Sequence, residues 1–264
     1  MLLAQLTDTH ILDPESTEER WVDNNGRLTM AVDSINAEVP RPDLVVATGD
    51  LTNWGEPGQL AELVRQLGRL EIEVLVLPGN HDDRASMKAA FDQPWTDADH
   101  LSWVVDRADV RVVGLDTQRP GSDGGLFDAE REAWLAAALA GAGGRPTVIA
   151  MHHPPFDTGI TWMDRDMLPG ADRFEALVAA HSNVTRILCG HVHRPVQSVV
   201  GGALATVGLS TVHHVALNLA DVSPIELIRD PAGYQLHRFR DGRWVSHTRY
   251  IDTAEPPFAP SWAG

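Results

Sequence analysis

Short apolar runs that stop abruptly at polar residues recur along the chain. Residues 2–6 are apolar apart from Gln5 and are followed closely by Asp8 and His10. Runs of this length without strict alternation predict buried strands, and polar groups at the carboxyl ends of such strands are typical of sites in open α/β sheets. The same change from apolar to polar follows four further runs, at residues 43–48, 74–77, 146–151 and 185–189.

Apolar residues at helical spacing lie between several of these runs. Four of them, between positions 28 and 35, share one face of a helix predicted over residues 27–39, which Pro40 ends. Strands that alternate with helices indicate an α/β fold with a largely parallel arrangement. Further helices are predicted over residues 60–70, 128–140 and 174–181, and a further strand over residues 110–115.

The pattern changes after Pro195, where short strand-like segments are joined by glycine-containing turns. They cover residues 196–200, 203–207, 212–219, 225–228, 234–239 and 244–250. Short strands linked in this way predict a C-terminal antiparallel β segment. We expect a single domain over residues 1–264, in which the β-rich part 196–250 leaves a strand edge that favours a homo-oligomer. Residues 255–264 are predicted to form a loosely held tail.

Charge and cysteine content narrow the function. A formal net charge of −16 argues against a nucleic acid polymer or an anionic membrane as partner, because both require clustered Lys and Arg, whereas small anions stay open as ligands. Cys189, the only cysteine, cannot form an intrachain disulfide. The N-terminal apolar run is too short for a signal peptide, and no run approaches transmembrane length. These features predict a cytoplasmic protein.

The polar residues after the five runs carry metal-ligand chemistry. They are Asp8, His10, Asp50, Asn80, His152, His191 and His193. One such residue at a strand end is more often a turn former, but turns alone do not explain five clusters at successive strand ends. Carboxylate, imidazole and amide groups together suit Fe, Mn, Co or Zn, whereas calcium would use oxygen alone and structural zinc would use cysteine. Seven ligands suffice for two ions, and Asp50 is central enough to bridge them.

Five motifs contain these residues: Asp8-x-His10, Gly49-Asp50, Gly79-Asn80-His81-Asp82, His152 and Gly190-His191-x-His193. In order and separation they resemble the metal motifs of the calcineurin-like metallophosphoesterase superfamily. Within it, residues 188–195, which read Leu-Cys-Gly-His-Val-His-Arg-Pro, are similar to the class III cyclic-nucleotide phosphodiesterases and the related bacterial glycerophosphodiesterases.

This resemblance implies a fold, a ligand set and a catalytic group. The fold would be a four-layer α/β/β/α sandwich of two mixed sheets with flanking helices. His81 would contact the substrate phosphate or protonate the leaving group, which makes His81 and Asp50 the expected catalytic residues, with Asn80 beside the substrate. The resemblance assigns one ion to Asp8, His10, Asp50 and His193, and the other to Asp50, Asn80, His152 and His191.

Simple electrostatics supports a phosphodiester as substrate. Two adjacent divalent ions lower the pKa of a water that bridges them and clamp the phosphoryl oxygens, so the expected nucleophile is a metal-bridging hydroxide. Two carboxylates and this hydroxide leave roughly one positive charge, which matches a phosphodiester monoanion. A phosphomonoester dianion would need additional cations, and the candidates near in sequence are Arg84 and Arg194. We therefore predict hydrolysis of 3′,5′-cyclic nucleotides or glycerophosphodiesters.

Other functions stay open at this stage. A phosphomonoesterase or a phosphonate monoester hydrolase could use the same site. Some proteins of this fold are catalytically silent binding scaffolds, although these typically lack ligands that are present here. His213 and His214 could be ordinary β-sheet residues, or one of them could reach the substrate phosphate or support a metal ligand, and of the two we favour His213.

Several neighbours of the motifs are expected to have supporting roles. His153 would orient its neighbour or fasten a loop, and Asp82 would cap a helix or hold a histidine. Trp21, Phe156 and Trp162 could line a pocket for a base or an alkyl group, or they could anchor loops. We expect Gly190 to be required, because it fixes the directions of two histidines in one tight turn.

Overall fold

The computed structural model describes residues 1–165, 167–220 and 225–252. Its strands, in chain order, are β1 (Leu2–Leu6), β2 (Leu44–Thr48), β3 (Val74–Leu77), β4 (Trp103–Arg107), β5 (Val110–Leu115), β6 (Thr147–Met151), β7 (Val184–Cys189), β8 (Val196–Val200), β9 (Ala203–Val207), β10 (His214–Val215), β11 (Leu227–Ile228), β12 (Gly233–Arg240) and β13 (Arg243–Tyr250). Its helices are α1 (Glu19–Val22), α2 (Asn24–Asn36), α3 (Pro57–Leu67), α4 (Arg84–Ala90), α5 (Ala129–Ala140) and α6 (Ala171–Ala179).

These strands form two mixed sheets and one small pair. The first sheet has the order β13-β12-β1-β2-β3, in which β1, β2 and β3 are parallel and β12 is antiparallel to β1. The second has the order β4-β5-β6-β7-β9-β8, in which β5, β6, β7 and β9 are parallel. Strands β10 and β11 pair with each other in antiparallel fashion. In each sheet, neighbouring parallel strands bring their carboxyl ends to one edge.

Apolar side chains fill the space between the sheets and cover their outer faces. Buried residues from both sheets meet in one cluster between them: Leu3, Leu44, Val46, Val112, Val148 and Leu188. Helices α2 and α3 bury Leu28, Val32 and Leu63 against the first sheet. Helices α5 and α6 bury Leu135 and Phe174 against the second. Each such side chain contributes about 1.5–3 kcal/mol on burial, and the predicted four-layer sandwich is confirmed.

The late strands complete both sheets. The β8–β9 hairpin extends the second sheet, while the β12–β13 hairpin extends the first. The strand predicted over residues 212–219 is wrong in extent, because only β10 finds a partner, and Leu217 and Leu219 beyond it are exposed. The predicted tail at residues 255–264 lies outside the described residues.

Helix α1, helix α4 and strand β4 were not predicted from the sequence pattern. Helix α4 follows the third polar cluster directly, and β4 pairs with β5 in a hairpin. The turn of that hairpin places Ala108 at a φ of 48°. Because a positive φ in a tight turn usually signals glycine, this turn has no recognisable marker in the sequence. No helix in the described ranges is both long and apolar enough to cross a membrane.

Candidate metal centre

The predicted ligands meet at one edge of the two facing sheets. Each follows a strand directly: Asp8 and His10 follow β1, Asp50 follows β2, Asn80 follows β3, His152 follows β6, and His191 and His193 follow β7. Strands β1, β2 and β3 are parallel neighbours in one sheet, as are β6 and β7 in the other. Their carboxyl ends therefore lie side by side, and the structure brings all seven residues together.

Backbone strain is concentrated in this set. Residues Asp8, His10, Asp50, His191 and His193 have φ angles of 51°, 42°, 50°, 72° and 61°. A non-glycine residue rarely adopts such a backbone, which costs of the order of 1–3 kcal/mol each. In the described part of the chain, only three other non-glycine residues do so: Asp23, Ala108 and Asp241. The fold maintains an unfavourable backbone where the candidate ligands lie, as functional sites often do.

A first group of ligand atoms is formed by Asp8, His10, Asp50 and His193. These atoms lie within 4.8 Å of one another, and all four residues are buried. Nδ1 of His10 donates to Oδ1 of Asn53 at 3.0 Å, and Nδ1 of His193 donates to the His213 carbonyl at 3.0 Å. Because each Nδ1 carries the proton, each Nε2 carries a lone pair. The two Nε2 atoms are nevertheless 3.1 Å apart. At this separation the two lone pairs face each other with no hydrogen-bond donor between them, whereas a cation placed there would be bound by both nitrogens.

A second group is formed by Asn80, His152 and His191. Oδ1 of Asn80 lies 3.2 Å from Nε2 of His152 and 3.1 Å from Nδ1 of His191. Nδ1 of His152 donates to the Thr48 carbonyl at 2.8 Å. Nε2 of His152 faces the amide oxygen of Asn80 and Oδ2 of Asp50, which both accept hydrogen bonds, so a proton or a metal ion is required at Nε2. This convergence of acceptors also fits a cation.

Asp50 lies between the two groups. Its Oδ2 is 3.8 Å from Nε2 of His10 in the first group and 3.3 Å from Nε2 of His152 in the second. Its Oδ1 accepts a hydrogen bond from the backbone N–H of His81 at 2.9 Å. One carboxylate oxygen is thus fixed by the backbone, while the other faces ligand atoms of both groups.

Burial and charge set the protonation states of the site. Burial holds the pKa of His10 well below its usual range and lowers the pKa of His191 to about 3 and of His193 to about 4. Burial alone would raise the pKa of Asp50, but His152 holds it well below its usual range. Burial alone would lower the pKa of His152, but Asp50 raises it to about 9. Three imidazoles are therefore neutral and ready to ligate, and the proton on His152 takes the place that a cation would occupy.

His153 lies beside the second group but is bound elsewhere. One ring nitrogen of each of His152, His153 and His191 lies within 4.8 Å of the others. Nδ1 of His153 is 2.8 Å from the Thr117 hydroxyl, and its Nε2 is 3.2 Å from the Asp123 carbonyl. Because both ring nitrogens have protein partners, His153 fastens two loops to the site instead of completing the ligand group.

His81 and His213 flank the first group. The ring centroid of His81 is 4.8 Å from that of His10, and its Nδ1 donates to the Asn53 carbonyl at 2.7 Å. This bond leaves Nε2 as the ring atom that can exchange a proton. The ring centroid of His213 is 4.7 Å from that of His193. His214, by contrast, is buried and lines a separate cavity, so His213 is the member of the pair that lies beside the site.

Sequence reasoning missed two residues on the loop that follows Asp50. Asn53 accepts a hydrogen bond from His10 through its side chain and one from His81 through its carbonyl. Trp54 is 63% exposed, and its ring centroid lies 5.7 Å from that of His81. Their position within a few residues of a metal motif was the available signal, because an exposed tryptophan there has no role in the core.

Asp82 connects two loops of the site by hydrogen bonds to their backbones. The prediction that it caps a helix or holds a histidine was therefore wrong. Its carboxylate accepts hydrogen bonds from the backbone N–H groups of Leu51, Thr52 and Gly79 and from the Thr52 hydroxyl, at 2.8–3.1 Å. Asp83 caps α4 instead, by accepting from the Ser86 N–H at 2.8 Å. Asp82 thus fixes the loop after β2 to the loop after β3.

Replacement of Asp82 by alanine is expected to lower the free energy of unfolding by at least about 3 kcal/mol, because it leaves several buried donors without an acceptor. Urea unfolding of the metal-free protein measures this loss. Asp83→Ala is the matched control, since it removes a helix cap worth only about 1 kcal/mol. Equal losses in the two variants would contradict the role given to Asp82.

The two arginines near the motifs are engaged by the protein. Arg84 donates to both carboxylate oxygens of buried Asp116, at 2.7 and 3.0 Å, and to the Gln118 carbonyl at 2.6 Å. Arg194 donates to the Val215 carbonyl at 2.7 Å. The charge of Arg84 is therefore neutralised by Asp116 and is not offered to a ligand.

The fold consists of two mixed sheets packed face to face, with two groups of candidate ligand atoms at one edge. This arrangement is that of a metal-dependent phosphoesterase. The chain belongs to the calcineurin-like phosphoesterase family, whose model matches residues 1–195. The glycerophosphodiester phosphodiesterase GpdQ of Enterobacter lignolyticus is 32% identical over 251 residues, which cover 94% of this chain and 90% of the relative. The 3′,5′-cyclic adenosine monophosphate phosphodiesterase CpdA of Pseudomonas aeruginosa is 29% identical over 253 residues, which cover 96% and 90%.

The fold is also found in a solved structure of low sequence identity. A dimetal phosphatase from Danio rerio superposes with a TM-score of 0.71 at 16% identity, and the match covers 95% of this chain and 96% of that one. At this level of identity the likeness supports the fold alone.

Proposed function

We propose that this chain hydrolyses phosphodiesters with two divalent metal ions. The observation that carries the proposal is the position of Asp50, whose Oδ2 faces His10 in one group of ligand atoms and His152 in the other. The first ion would be held by Asp8, His10, Asp50 and His193, and the second by Asp50, Asn80, His152 and His191. Fe, Mn, Zn and Co all suit these ligands. When bound, two such ions supply a nucleophilic water near neutral pH and neutralise phosphoryl oxygens.

The residues of the chain itself provide proton transfer and orientation. His81 has its Nδ1 fixed by the Asn53 carbonyl, so its Nε2 would donate the proton to the leaving alkoxide. Asn53 also orients His10 through its side chain. Asn80, a member of the second ligand group, and His213, which lies beside the first, would contact the phosphate. Asp50 would have a double role, because it would hold both ions through Oδ2 while its Oδ1 accepts a hydrogen bond from the backbone N–H of His81.

The charge of the site favours a diester. The first group contains two carboxylates, Asp8 and Asp50, and the nearby Arg84 is committed to Asp116. Arg84 is thus not available as the additional cation that a monoester dianion would require, whereas a diester monoanion does not need one. Relatives named for glycerophosphodiester and cyclic adenosine monophosphate hydrolysis support the same class. We propose glycerophosphodiesters and 3′,5′-cyclic nucleotides as the substrates to test.

Turnover of two aryl phosphates tests this proposal. With Mn, Co or Zn added in turn, kcat/KM for bis(p-nitrophenyl) phosphate is expected to exceed that for p-nitrophenyl phosphate by about tenfold or more, which corresponds to about 1.4 kcal/mol. The Asp8→Asn variant, purified in the same way, controls for contaminating phosphatases. A preference for the monoester would show a phosphomonoesterase instead.

We also propose a cytoplasmic location and a homo-oligomeric assembly. The buried thiol of Cys189 needs no oxidising compartment, which supports a cytoplasmic enzyme. Strand β13 is an edge of the first sheet with exposed Val245 and Tyr250, which supports a homo-oligomer through this part of the chain.

A further inference from the structure

A cavity of about 300 Å³ adjoins the second ligand group. Its walls are formed by Ser122, Asp123, Gly124, Trp162, Met163, Arg165 and His191. His191 belongs both to this wall and to the ligand group, so a molecule in the cavity lies next to whatever that group holds. Asp123 is also tied to the site, because its carbonyl is 3.2 Å from Nε2 of His153.

The proton donor proposed above lies at the other ligand group. His81 packs beside His10, with 4.8 Å between ring centroids, and exposed Trp54 packs beside His81. A phosphodiester has two alcohol arms, and the leaving arm must reach the proton donor. The retained arm then projects from the phosphate toward a different part of the wall. The cavity at His191 is placed to receive that arm.

The walls of the cavity contain two opposite charges, which cancel each other, and an apolar face. Asp123 contributes one negative charge and Arg165 one positive charge, so the wall as a whole favours neither a cationic nor an anionic arm. A hydroxyl group on the arm can donate a hydrogen bond to the Asp123 carboxylate without adding a charge. Trp162 and Met163 offer apolar surface to the carbon skeleton of such an arm.

The cavity is small and preformed. Its volume is at the lower end of the range for ligand sites, about 300–1,000 Å³, which suits a compact arm. Met163 is 6% exposed, and Trp162 packs against the buried cluster between the second sheet and its helices. Phe156 lines a different cavity, whose wall contains none of the seven candidate ligands. Of the two aromatic residues, only Trp162 is placed to contact substrate.

We propose that this cavity is the subsite for the retained alcohol arm of an open-chain diester, and that Trp162 and Asp123 select a neutral, hydroxylated arm of about the size of glycerol. This inference rests on the proposed phosphodiesterase function. It adds that the two arms are recognised at different ligand groups, the leaving arm beside His81 and the retained arm beside His191.

A series of esters with one common leaving group tests the subsite. Methyl, 2,3-dihydroxypropyl and 2-(trimethylammonio)ethyl esters of p-nitrophenyl phosphate differ only in the retained arm. For the wild-type protein with Mn, kcat/KM for the dihydroxypropyl ester is expected to exceed that for the methyl ester by about tenfold, mainly through KM. In Trp162→Ala and in the isosteric Asp123→Asn this ratio should fall close to one.

Trp54→Ala is the matched control, because the leaving group is the same in all esters and the ratio should survive in this variant. Unfolding midpoints of all variants report any loss of folding, and Asp123→Asn keeps the test available if Trp162→Ala is unstable. A wild-type ratio near one, a ratio that persists in both variants, or a preference for the trimethylammonio ester would overturn the subsite while leaving the phosphodiesterase intact. Failure to hydrolyse any of the esters would overturn the proposed function, and the subsite with it.

Discussion

Replacement of Asp50 by asparagine is expected to lower kcat for phosphodiester hydrolysis about a thousandfold, the upper range for removal of one electrostatic group from an active site. Oδ2 of Asp50 faces Nε2 of His10 at 3.8 Å and Nε2 of His152 at 3.3 Å, so one carboxylate serves both groups of ligand atoms. Asparagine retains an oxygen that can accept from the His81 N–H but removes the negative charge. The change therefore tests the bridging charge with little effect on the loop.

Asp83→Asn is the matched control for Asp50→Asn. Asp83 is a neighbouring carboxylate that caps α4 and belongs to neither ligand group. The kcat of the Asp83→Asn variant should stay close to that of the wild type. A rate for Asp50→Asn within tenfold of the wild type would refute the bridging role.

Replacement of His81 by asparagine is expected to have an effect that depends on the leaving group. Asparagine cannot donate a proton, so hydrolysis of a glycerophosphodiester, whose alkoxide leaves poorly, should slow by about 10²–10⁴-fold. A p-nitrophenyl diester should slow far less, because p-nitrophenolate leaves without protonation. Steady-state kinetics on both substrates with the same metal measures the difference.

Metal content provides the control for the His81 variant. His81 lies outside both ligand groups, and its Nδ1 is engaged by the Asn53 carbonyl, so the variant should bind as much metal as the wild type. Equal losses of rate on the two substrates would show that His81 binds the phosphate and does not protonate the leaving group.

The proximity of the candidate ligands was largely predictable, because these residues follow strands that the pattern reveals. The apolar runs at residues 2–6, 43–48 and 74–77 became β1, β2 and β3, which are parallel neighbours. Once these strands were identified, the carboxyl-end rule brought their polar residues to one edge. The two-sheet arrangement itself came from the family resemblance, since periodicity did not show which strands share a sheet.

The supporting residues were not predictable because their partners are distant along the chain. Asp82 binds the backbone at Leu51 and Thr52, and no local pattern links these positions. Gly190 is needed for a reason other than turn flexibility: a Cβ there would lie 2.2 Å from the Thr7 hydroxyl and 2.9 Å from Oδ2 of Asp8. The requirement arises from close approach of the loops after β1 and β7, which only the folded chain shows.

The role of Trp162 in lining a cavity was also not predictable from the sequence. The sequence placed Trp162 and Phe156 in loops near a metal motif but could not choose between a pocket and a loop anchor. The choice depends on which aromatic ring lines the same cavity as His191, and that cavity is formed by segments on either side of α6. Side-chain packing across such distances has no periodic signature in the sequence.

Titration of metal-free protein with Mn²⁺ tests the central claim most directly. The wild type is predicted to bind two ions per chain, one in each ligand group. Asp50→Asn is predicted to bind fewer than two at the concentrations that saturate the wild type, because both groups lose a shared ligand. Binding of a single ion by the wild type, or of two ions by Asp50→Asn with unchanged affinity, would contradict a paired metal site centred on Asp50.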